Sequence, residues 1–340
     1  PTRYQQPTSG ITYLTSLAGA GRLASELLPL VPFFCYALPK IGTRRRGYVE
    51  LVRRIDAHTG GLGFSAAART PVGAAGQSLP LIFVGAKCLQ RNIGEMFDIV
   101  GELLSEGDFG DQERLGSLLA EYRAGLETAV IHAGHRLAIS LAARHLSQSS
   151  ALNEIWSGIR QLQTIKSYDR NDNDAMGGLS RLLARIGARL FTRQNFKAAL
   201  VGDAASLAAA QTGFEQAMTR LADDGSDGFG PPAVTVAPAT PALFEGWHTT
   251  TAVSFVAQAF SVVPLDHPAA AGLALLAKIM RSAYLHREIR ERGGAYGGFA
   301  LYNPECALFA MASYRDPQIV RTLSAFDGAR RFMCEGRFSR

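Results

Sequence analysis

The chain has 340 residues, 47% of them hydrophobic and 19% charged, which is the composition of a globular protein with a sizeable core. Its net charge of +6 is small for this length, and the only basic run is Arg44–Arg46, so the sequence argues against nucleic acid as a partner. No apolar run reaches the roughly 18 residues of a membrane-spanning helix, and we therefore expect no membrane association.

The cysteines are few and far apart in the sequence. They form no C-x-x-C pair, and Cys35 and Cys88 lie in apolar runs, which predicts buried, reduced thiols rather than disulfides. The chain also starts without a charged segment followed by an apolar one. Together these features predict a cytoplasmic protein, with the reservation that a fragment could have lost its targeting segment.

The first part of the chain predicts one unit of mixed helices and strands, followed by a helical extension. A strand from Ile11 to Ala18 shows period-two alternation, and prolines stand in the first turns of a helix predicted from Glu26 to about Ile41. The remaining predicted elements are a helix over 48–58, strands over 62–68 and 79–88, a helix over 93–105, helices between 111 and 192, a strand over 196–201 and a helix over 204–221.

The composition changes sharply to Gly, Asp, Pro, Ala and Thr after residue 222, which predicts a linker. We therefore expect a first α+β domain with a helical extension at residues 1–222, a linker at 223–244 and a second α+β domain at 245–340. In the second domain we predict a strand over 249–260, helices over 268–280 and 282–290, strands over 295–302 and 307–314, and a helix over 317–335.

The order strand, helix, helix, Gly-Gly, strand, strand, helix thus occurs twice, which predicts two copies of one domain. In each copy the strands are of the antiparallel type and the helices are grouped. The predicted fold class is therefore α+β, with two related domains that each have a mainly antiparallel sheet and helices packed on one face.

The segment from Tyr284 to Tyr302 holds the candidate site. A charged helix ends at Gly293-Gly294 and passes into an aromatic strand, which could bring Arg290 and Tyr296 to face one ligand. A guanidinium and a phenol together suit a carbonyl oxygen that gains negative charge. The alternative from the residues alone is a surface helix with solvated charges and a tyrosine in the core.

Metal and nucleophile motifs are missing from the sequence. It contains neither H-E-x-x-H nor H-x-x-E-H, and no G-x-S-x-G elbow. His132 and His135 have a spacing of three without an acidic third ligand, and His286 precedes two glutamates without a second histidine. The glycine-rich stretches fit turns better than phosphate-binding loops. We therefore expect no zinc site and no cofactor site in this chain.

Several stretches resemble one family of enzymes. Leu285-His-Arg-Glu-Ile-Arg-Glu-Arg-Gly-Gly-Ala-Tyr-Gly-Gly is similar to the Arg/Tyr segment of pitrilysin-type (insulinase-like) zinc metallopeptidases, and most of all to the presequence protease branch. Further stretches resemble that branch in the same order: Gln6-Pro-Thr-Ser-Gly-Ile-Thr-Tyr-Leu, Glu26-Leu-Leu-Pro-Leu-Val-Pro, Ile55-Asp-Ala-His-Thr-Gly-Gly-Leu-Gly-Phe-Ser and Ser313-Tyr-Arg-Asp-Pro.

The resemblance implies a function for the chain as one half of a larger enzyme. In the family, two halves close around an unfolded peptide, the N-terminal half binds the zinc, and the C-terminal half contributes an arginine and a tyrosine. These correspond to Arg290 and Tyr296 here, with Arg287 as the alternative if the helix is shifted by a turn. The implied role is substrate binding and transition-state stabilisation. The implied partners are the peptide and the N-terminal half, and this chain alone is expected to be inactive.

A rival interpretation is a non-catalytic, pitrilysin-like subunit or scaffold that binds peptides or a partner without cleaving them. An H-x-x-E-H half upstream of Pro1 would favour the enzyme, whereas a gene that begins near Pro1 would favour the rival. The second copy also ends soon after its third helix, while the first continues into further helices and a strand, so we expect the chain to be a fragment.

Overall fold

The computed structural model describes residues 1–74, 76–223, 225, 229 and 244–336. The chain divides into two compact units, which are Pro1–Ala68 with Leu79–Gly125 and Arg160–Val234, and Arg69–Ser78 with Leu126–Ile159 and Thr235–Arg340. The predicted linker at residues 223–244 falls largely outside the described residues. The linear boundaries 1–222 and 245–340 therefore stay a prediction.

The described residues form the following helices and strands. The helices are α1 Val31–Ala37, α2 Tyr48–His58, α3 Ile93–Glu106, α4 Gln112–Ala143, α5 Gln148–Ser157, α6 Ile159–Lys166, α7 Asn173–Leu190, α8 Ala204–Thr219, α9 Ala270–Ile279, a π-helix Met280–Glu291 and α10 Ile319–Glu335. The strands are β1 Thr2–Gln5, β2 Ile11–Gly19, β3 Leu62–Arg69, β4 Leu79–Leu89, β5 Phe196–Gly202, β6 Ala257–Ser261, β7 Gly297–Asn303 and β8 Leu308–Tyr314.

The first unit is built on a five-stranded sheet in the order β1-β5-β2-β4-β3. Strand β2 pairs antiparallel with both β4 and β5, whereas β1 pairs parallel with β5. Alternate residues of β2, such as Leu14 and Ala18, are fully buried, as the period-two pattern predicts. The predicted α+β class, with a mainly antiparallel sheet and helices packed against it, is confirmed.

Helices α3 and α8 of this unit pack closely because small residues face each other. A Cβ on Gly101 would lie 3.2 Å from the Cα of Ala217, and a Cβ on Gly213 would lie 2.7 Å from the ring of Phe97. Phe97 in turn makes an edge contact with Phe214, with ring centroids 6.3 Å apart. This close approach of two helices completes one side of the first core.

A buried carboxylate ties α2 to α3. Glu102 is only 1% exposed, and its oxygens accept hydrogen bonds from the Thr43 hydroxyl at 2.6 Å, from Arg46 and from Arg54 at 3.2 Å. Arg54 also donates to Glu95 at 2.7 Å. A buried charge is tolerated only when it is paired and hydrogen-bonded. Here two guanidinium groups pair with the Glu102 carboxylate, and a hydroxyl donates a further hydrogen bond to it.

We expect Arg54→Met to lower the free energy of unfolding by about 2 kcal/mol, because it removes one of the two cations that compensate the buried Glu102. Arg46 remains, so the loss should stay below that of a fully unpaired charge. Arg53→Met is the matched control, since Arg53 is exposed on the same helix. Urea unfolding of both variants checks this, and equal losses would contradict it.

The second unit repeats the arrangement on a smaller scale. Its sheet has the order β6-β8-β7 with antiparallel pairs, which is the order of β2-β4-β3 in the first unit. Helix α9, the π-helix and α10 supply the residues that cover it. The core combines apolar side chains from all of these elements: Ala277, Met280, Leu285, Ile289, Ala300, Phe309, Met311 and Phe326. The predicted pair of related domains is therefore observed in the sheets themselves.

Two predicted elements are shorter than expected. The helix predicted over 26–41 is broken into a 3-10 turn at Leu28–Leu30, α1 and a second 3-10 turn at Leu38–Lys40, and a proline lies in the first two positions of each piece. The strand predicted over 249–260 is regular only from Ala257, where pairing with β8 begins. The alternation of apolar and polar residues does not show at which residue the pairing with a neighbouring strand begins.

The cysteines lie as the sequence predicts. Cys35 and Cys88 are buried and unpaired, as is Cys306, whereas Cys334 is exposed. Burial raises the pKa of Cys88 to about 11 and raises that of Cys35 still further. These buried thiols therefore stay protonated at neutral pH and behave as small apolar side chains. Among the described helices, none is both long and apolar enough to cross a membrane.

Candidate functional site

The π-helix and its glycine break set the geometry of the candidate site. The amide of Arg292 donates to the Arg287 carbonyl at 3.0 Å, and the Gly294 amide donates to the Arg290 carbonyl at 3.0 Å. Gly294 has φ of +80°, a left-handed conformation that closes the helix and that glycine adopts without strain. The chain then turns directly into the residues that precede β7.

The neighbouring glycines are needed because the backbone passes very close to the helix. A Cβ on Gly293 would lie 2.4 Å from the carbonyl oxygen of Ile289, and one on Gly298 would lie 2.9 Å from that of Leu285. The Ala295 amide also donates to the Ile289 carbonyl at 3.1 Å. The start of β7 is thus fixed against the last turn of the helix.

Arg290 and Tyr296, the two predicted site residues, are brought together by this turn. The Arg290 guanidinium carbon lies 5.6 Å from the centroid of the Tyr296 ring. Tyr296 is 65% exposed, so its phenol is not a core group. The interpretation of this tyrosine as a core residue is therefore wrong, because it points to solvent at the strand's start.

Arg287 lies in a different environment from Arg290. Its Nε donates to Glu288 Oε1 at 3.0 Å, and Arg292 donates to the same carboxylate at 2.9 Å. Burial acts to raise the pKa of Glu288, but the hydrogen bonds from both arginines outweigh it and hold that pKa below its ordinary value. Within the described residues no carboxylate pairs with Arg290, whereas Arg287 has its Nε bonded to Glu288.

A group of three aromatic side chains, Tyr296, Tyr314 and Phe299, extends the site beyond the predicted pair. The Tyr296 ring makes an edge contact with Tyr314 at 5.8 Å, and the Tyr296 amide donates to the Tyr314 carbonyl at 3.0 Å. Arg315 lies over Tyr314 with its guanidinium carbon 5.5 Å from the ring centroid, and Arg281 lies over Phe299 at 5.1 Å. Each of the three aromatic rings therefore has an arginine side chain over it.

His135 packs on the same aromatic group from helix α4. Its ring stacks on Phe299 at 5.5 Å and meets Tyr314 edge-on at 4.9 Å. Burial, with a smaller contribution from the charge of Arg136, lowers the pKa of His135, which keeps the ring neutral near pH 7. Its Nδ1 has no hydrogen-bond partner among the described residues.

The histidines considered as metal ligands in the sequence lie in environments of different kinds. Residue Ala133, between His132 and His135, has a non-helical φ of −132° and ψ of 22°, so these two histidines are separated by a kink rather than by a regular helical turn. His286 pairs with Glu291 at 3.2 Å. Across the part of the chain that the structure describes, no three His, Cys, Asp or Glu side chains are grouped to hold a metal ion. These residues therefore do not fit a zinc site.

A cavity of about 640 Å³ lies elsewhere in the second unit, along β6 and α4. Neither Arg290 nor Tyr296 lines it, and its charged residues include Arg144 and Glu245, which pair with each other at 2.7 Å. The charges of these two side chains therefore compensate each other. The exposed arginine and tyrosine remain the candidate site.

The sequence did not indicate that three further residues belong to this site, namely Arg281, His135 and Arg315. Arg315 had a signal, since Ser313-Tyr-Arg-Asp-Pro was one of the stretches that carried the resemblance. No role followed from it because its contact with Tyr296, whose amide lies 3.4 Å from the Arg315 carbonyl oxygen, depends on the pairing of β7 with β8. His135 was considered only as a metal ligand together with His132, and because it lies far away in the sequence nothing indicated that it packs on this aromatic group.

Comparison with known proteins agrees with the resemblance. A family model for a domain associated with peptidase family M16, subfamily C, matches residues 2–167, and one described as "PreP C-terminal domain" matches residues 249–337. The chain is 30% identical to "Presequence protease, mitochondrial" from Danio rerio over 366 residues, covering 100% of this chain and 35% of that protein. It spans about a third of the length of the curated relatives it matches.

Solved structures show the same fold at low sequence identity. A structure titled as a peptidase M16 inactive domain from Pseudomonas fluorescens has a TM-score of 0.61 at 14% identity, covering 99% of this chain and 81% of that one. Pitrilysin has a TM-score of 0.55 at 12% identity, covering 99% of this chain and 35% of its own. The pitrilysin-like fold predicted from the resemblance is confirmed.

The expectation of a cytoplasmic protein is wrong. The curated relatives are named as mitochondrial proteins, and the one from Arabidopsis thaliana as chloroplastic/mitochondrial. The error arose because reduced cysteines and the lack of a long apolar run are features that a protein of any reducing compartment can share.

Both family models, the curated relatives and the solved structures point to the same group of proteins, and they do so over nearly the whole chain. One of the family models is described as the C-terminal domain of this group, and one solved structure as an inactive domain. The chain therefore belongs to the pitrilysin-type, or insulinase-type, peptidase family, in its presequence protease branch, and corresponds to the C-terminal half of such a protein.

Proposed function

We propose that this chain is the C-terminal, non-zinc-binding half of a zinc metalloendopeptidase that degrades unfolded peptides in a closed chamber. The observation that carries the proposal is the contact between Arg290 and Tyr296, with an exposed phenol and a guanidinium that has no described carboxylate partner. Family membership supplies the class of reaction. The zinc would belong to the N-terminal half, because the residues described here do not fit it.

The role proposed for this chain is carried by hydrogen-bond donors. When the peptide carbonyl becomes tetrahedral, negative charge grows on its oxygen, and the Arg290 N–H groups and the Tyr296 O–H can donate to it. Such a donor is worth more in the transition state than in the ground state, about 3 to 4 kcal/mol for one good donor. Arg290 also offers a fork of donors to the substrate backbone beside the scissile bond.

The fixed geometry of the turn supports this role. The amides of Gly294 and Ala295 are bonded to carbonyls of the π-helix, and the Tyr296 amide is bonded to Tyr314. The two donor side chains therefore start from a backbone that is already ordered, so substrate binding has to immobilise only the side chains and not the turn itself.

The test is made on the isolated chain, incubated with zinc and an unstructured peptide. We expect no stoichiometric zinc and no turnover, because water activation needs a metal site that these residues lack. Peptide binding, measured by fluorescence anisotropy, should weaken when Arg290 is replaced by alanine. Turnover by the chain alone would overturn the proposal, and peptide binding that is independent of Arg290 would favour the scaffold interpretation.

A further inference from the structure

The end of β8 carries a residue in an unusual backbone conformation. Arg315 has φ of +50°, the left-handed region that side chains other than glycine rarely adopt. Among the described non-glycine residues, Ser9 and Ala307 share this feature, and both lie in reverse turns where it is common. Arg315 instead follows a strand directly and stands next to the candidate site.

The surrounding structure holds Arg315 in this conformation through its neighbour. Asp316 is only 1% exposed, and its backbone pairs with Ser254 in both directions, at 2.8 and 2.9 Å. Its carboxylate accepts from the Gln318 amide at 2.8 Å and from the Thr322 hydroxyl at 2.5 Å. Both oxygens are therefore occupied inside the unit, and the adjacent Arg315 side chain is exposed.

Arg315 and Arg290 stand over two rings that touch. Arg315 lies over Tyr314, Arg290 lies over Tyr296, and the two rings meet edge-on. Within the described ranges neither guanidinium has a carboxylate partner. The acidic groups nearest to Arg290 in the sequence have other partners, since Glu291 lies 3.2 Å from His286, and Glu288 binds Arg287 and Arg292.

A strained backbone that presents an unpaired cation beside a candidate site suggests a role in binding, because glycine would satisfy the same conformation at lower cost. We propose that Arg315 is a specificity-determining residue that binds a carboxylate of the substrate peptide next to the position held by Arg290 and Tyr296. This inference rests on the proposed function. A planar guanidinium suits a carboxylate because it donates two parallel hydrogen bonds.

The carboxylate could be an acidic side chain or the free C-terminus of the peptide, and four peptides separate these sources. One pair differs only by Glu or Gln within the sequence, and the other only by a C-terminal carboxylate or amide. In the full-length enzyme we expect Arg315→Gln to raise KM about tenfold for the carboxylate member of one pair. The neutral members should change less than twofold, and kcat should stay the same.

Two further variants separate binding from structure. Arg315→Lys keeps the charge without the fork and should recover only part of the selectivity. Arg315→Gly should lose the selectivity while Tm stays the same or rises, because glycine relieves the left-handed strain. The control is Arg321→Gln, which removes an exposed guanidinium from α10 of the same unit and should leave all four peptides unchanged.

The outcomes decide between the explanations. A change in the Glu/Gln pair alone assigns the site to an acidic side chain, and a change in the carboxylate/amide pair alone assigns it to the C-terminus. Equal changes for all four peptides, or a fall in Tm for Arg315→Gly, would overturn the inference. Failure of the proposed function is distinguishable, because it would show as an unchanged kcat in Arg290→Ala rather than as a change of KM in Arg315→Gln.

Discussion

Replacing Arg290 by alanine in the full-length peptidase is expected to lower kcat by about 10² to 10³-fold. The physical reason is that its guanidinium donates to an oxygen whose charge grows only in the transition state, so the loss appears in kcat more than in KM. Tyr296→Phe removes one donor and keeps the ring, and should lower kcat by about 10²-fold. Steady-state kinetics on an unstructured peptide measure both.

The matched control is a neighbouring arginine of the same segment. Arg292 is exposed and pairs with Glu288, so Arg292→Ala should leave kcat within about twofold. Arg287→Ala separates the two candidates of the sequence analysis, because Arg287 is also paired with Glu288 whereas Arg290 is not. A large loss of kcat in Arg287→Ala, with full activity in Arg290→Ala, would move the assignment one turn along the helix.

Unchanged kcat in both Arg290→Ala and Tyr296→Phe would end the catalytic assignment, provided that circular dichroism shows folded protein.

Gly293→Ala is expected to be the most disruptive single-methyl change in this segment. Its Cβ would lie 2.4 Å from the Ile289 carbonyl oxygen and 3.0 Å from that of Glu288, so the backbone must shift. Overpacking against backbone costs about 3 kcal/mol. Because the same backbone positions Tyr296 against Arg290, we expect kcat of the full-length enzyme to fall together with stability.

A series of glycine variants tests that explanation. Gly294→Ala meets only the Pro317 side chain, at 3.7 Å, but places a side chain at φ of +80°, which should cost about 1 to 2 kcal/mol. Gly272→Ala lies in α9 with nothing within 4 Å of its Cβ, and should stabilise the chain by about 0.5 to 1 kcal/mol. Chemical denaturation ranks the three variants. A Gly293→Ala variant as stable as Gly272→Ala would contradict the packing that we describe.

Much of the fold was predictable because local signals agreed with the final packing. The helix over 48–58 begins and ends at the predicted residues, since Gly47 and the glycines after His58 bound a periodic apolar stripe. The two strands that follow Gly293-Gly294 were predicted over 295–302 and 307–314, and they are observed as β7 and β8. Repetition of the same order in both parts of the chain made the α+β class predictable.

The site was only partly predictable for physical reasons. The juxtaposition of Arg290 and Tyr296 follows from a helix, a break and a strand, which are all local. The π-helix could not be predicted in this way. Its hydrogen bonds join residues five apart, and in so short a segment they leave no distinct hydrophobic period in the sequence. The contacts of His135 depend on tertiary packing. The position of Arg315 depends on its left-handed backbone conformation, which an arginine in the sequence does not indicate.

The measurement that tests the central claim most directly is peptidase activity in a mixture of this chain with the separately produced N-terminal half of the same protein, with zinc present. We expect turnover only in the mixture, and loss of that turnover when this chain carries Arg290→Ala although the two halves still co-elute. Equal turnover with the Arg290→Ala chain, or turnover by either half alone, would contradict it.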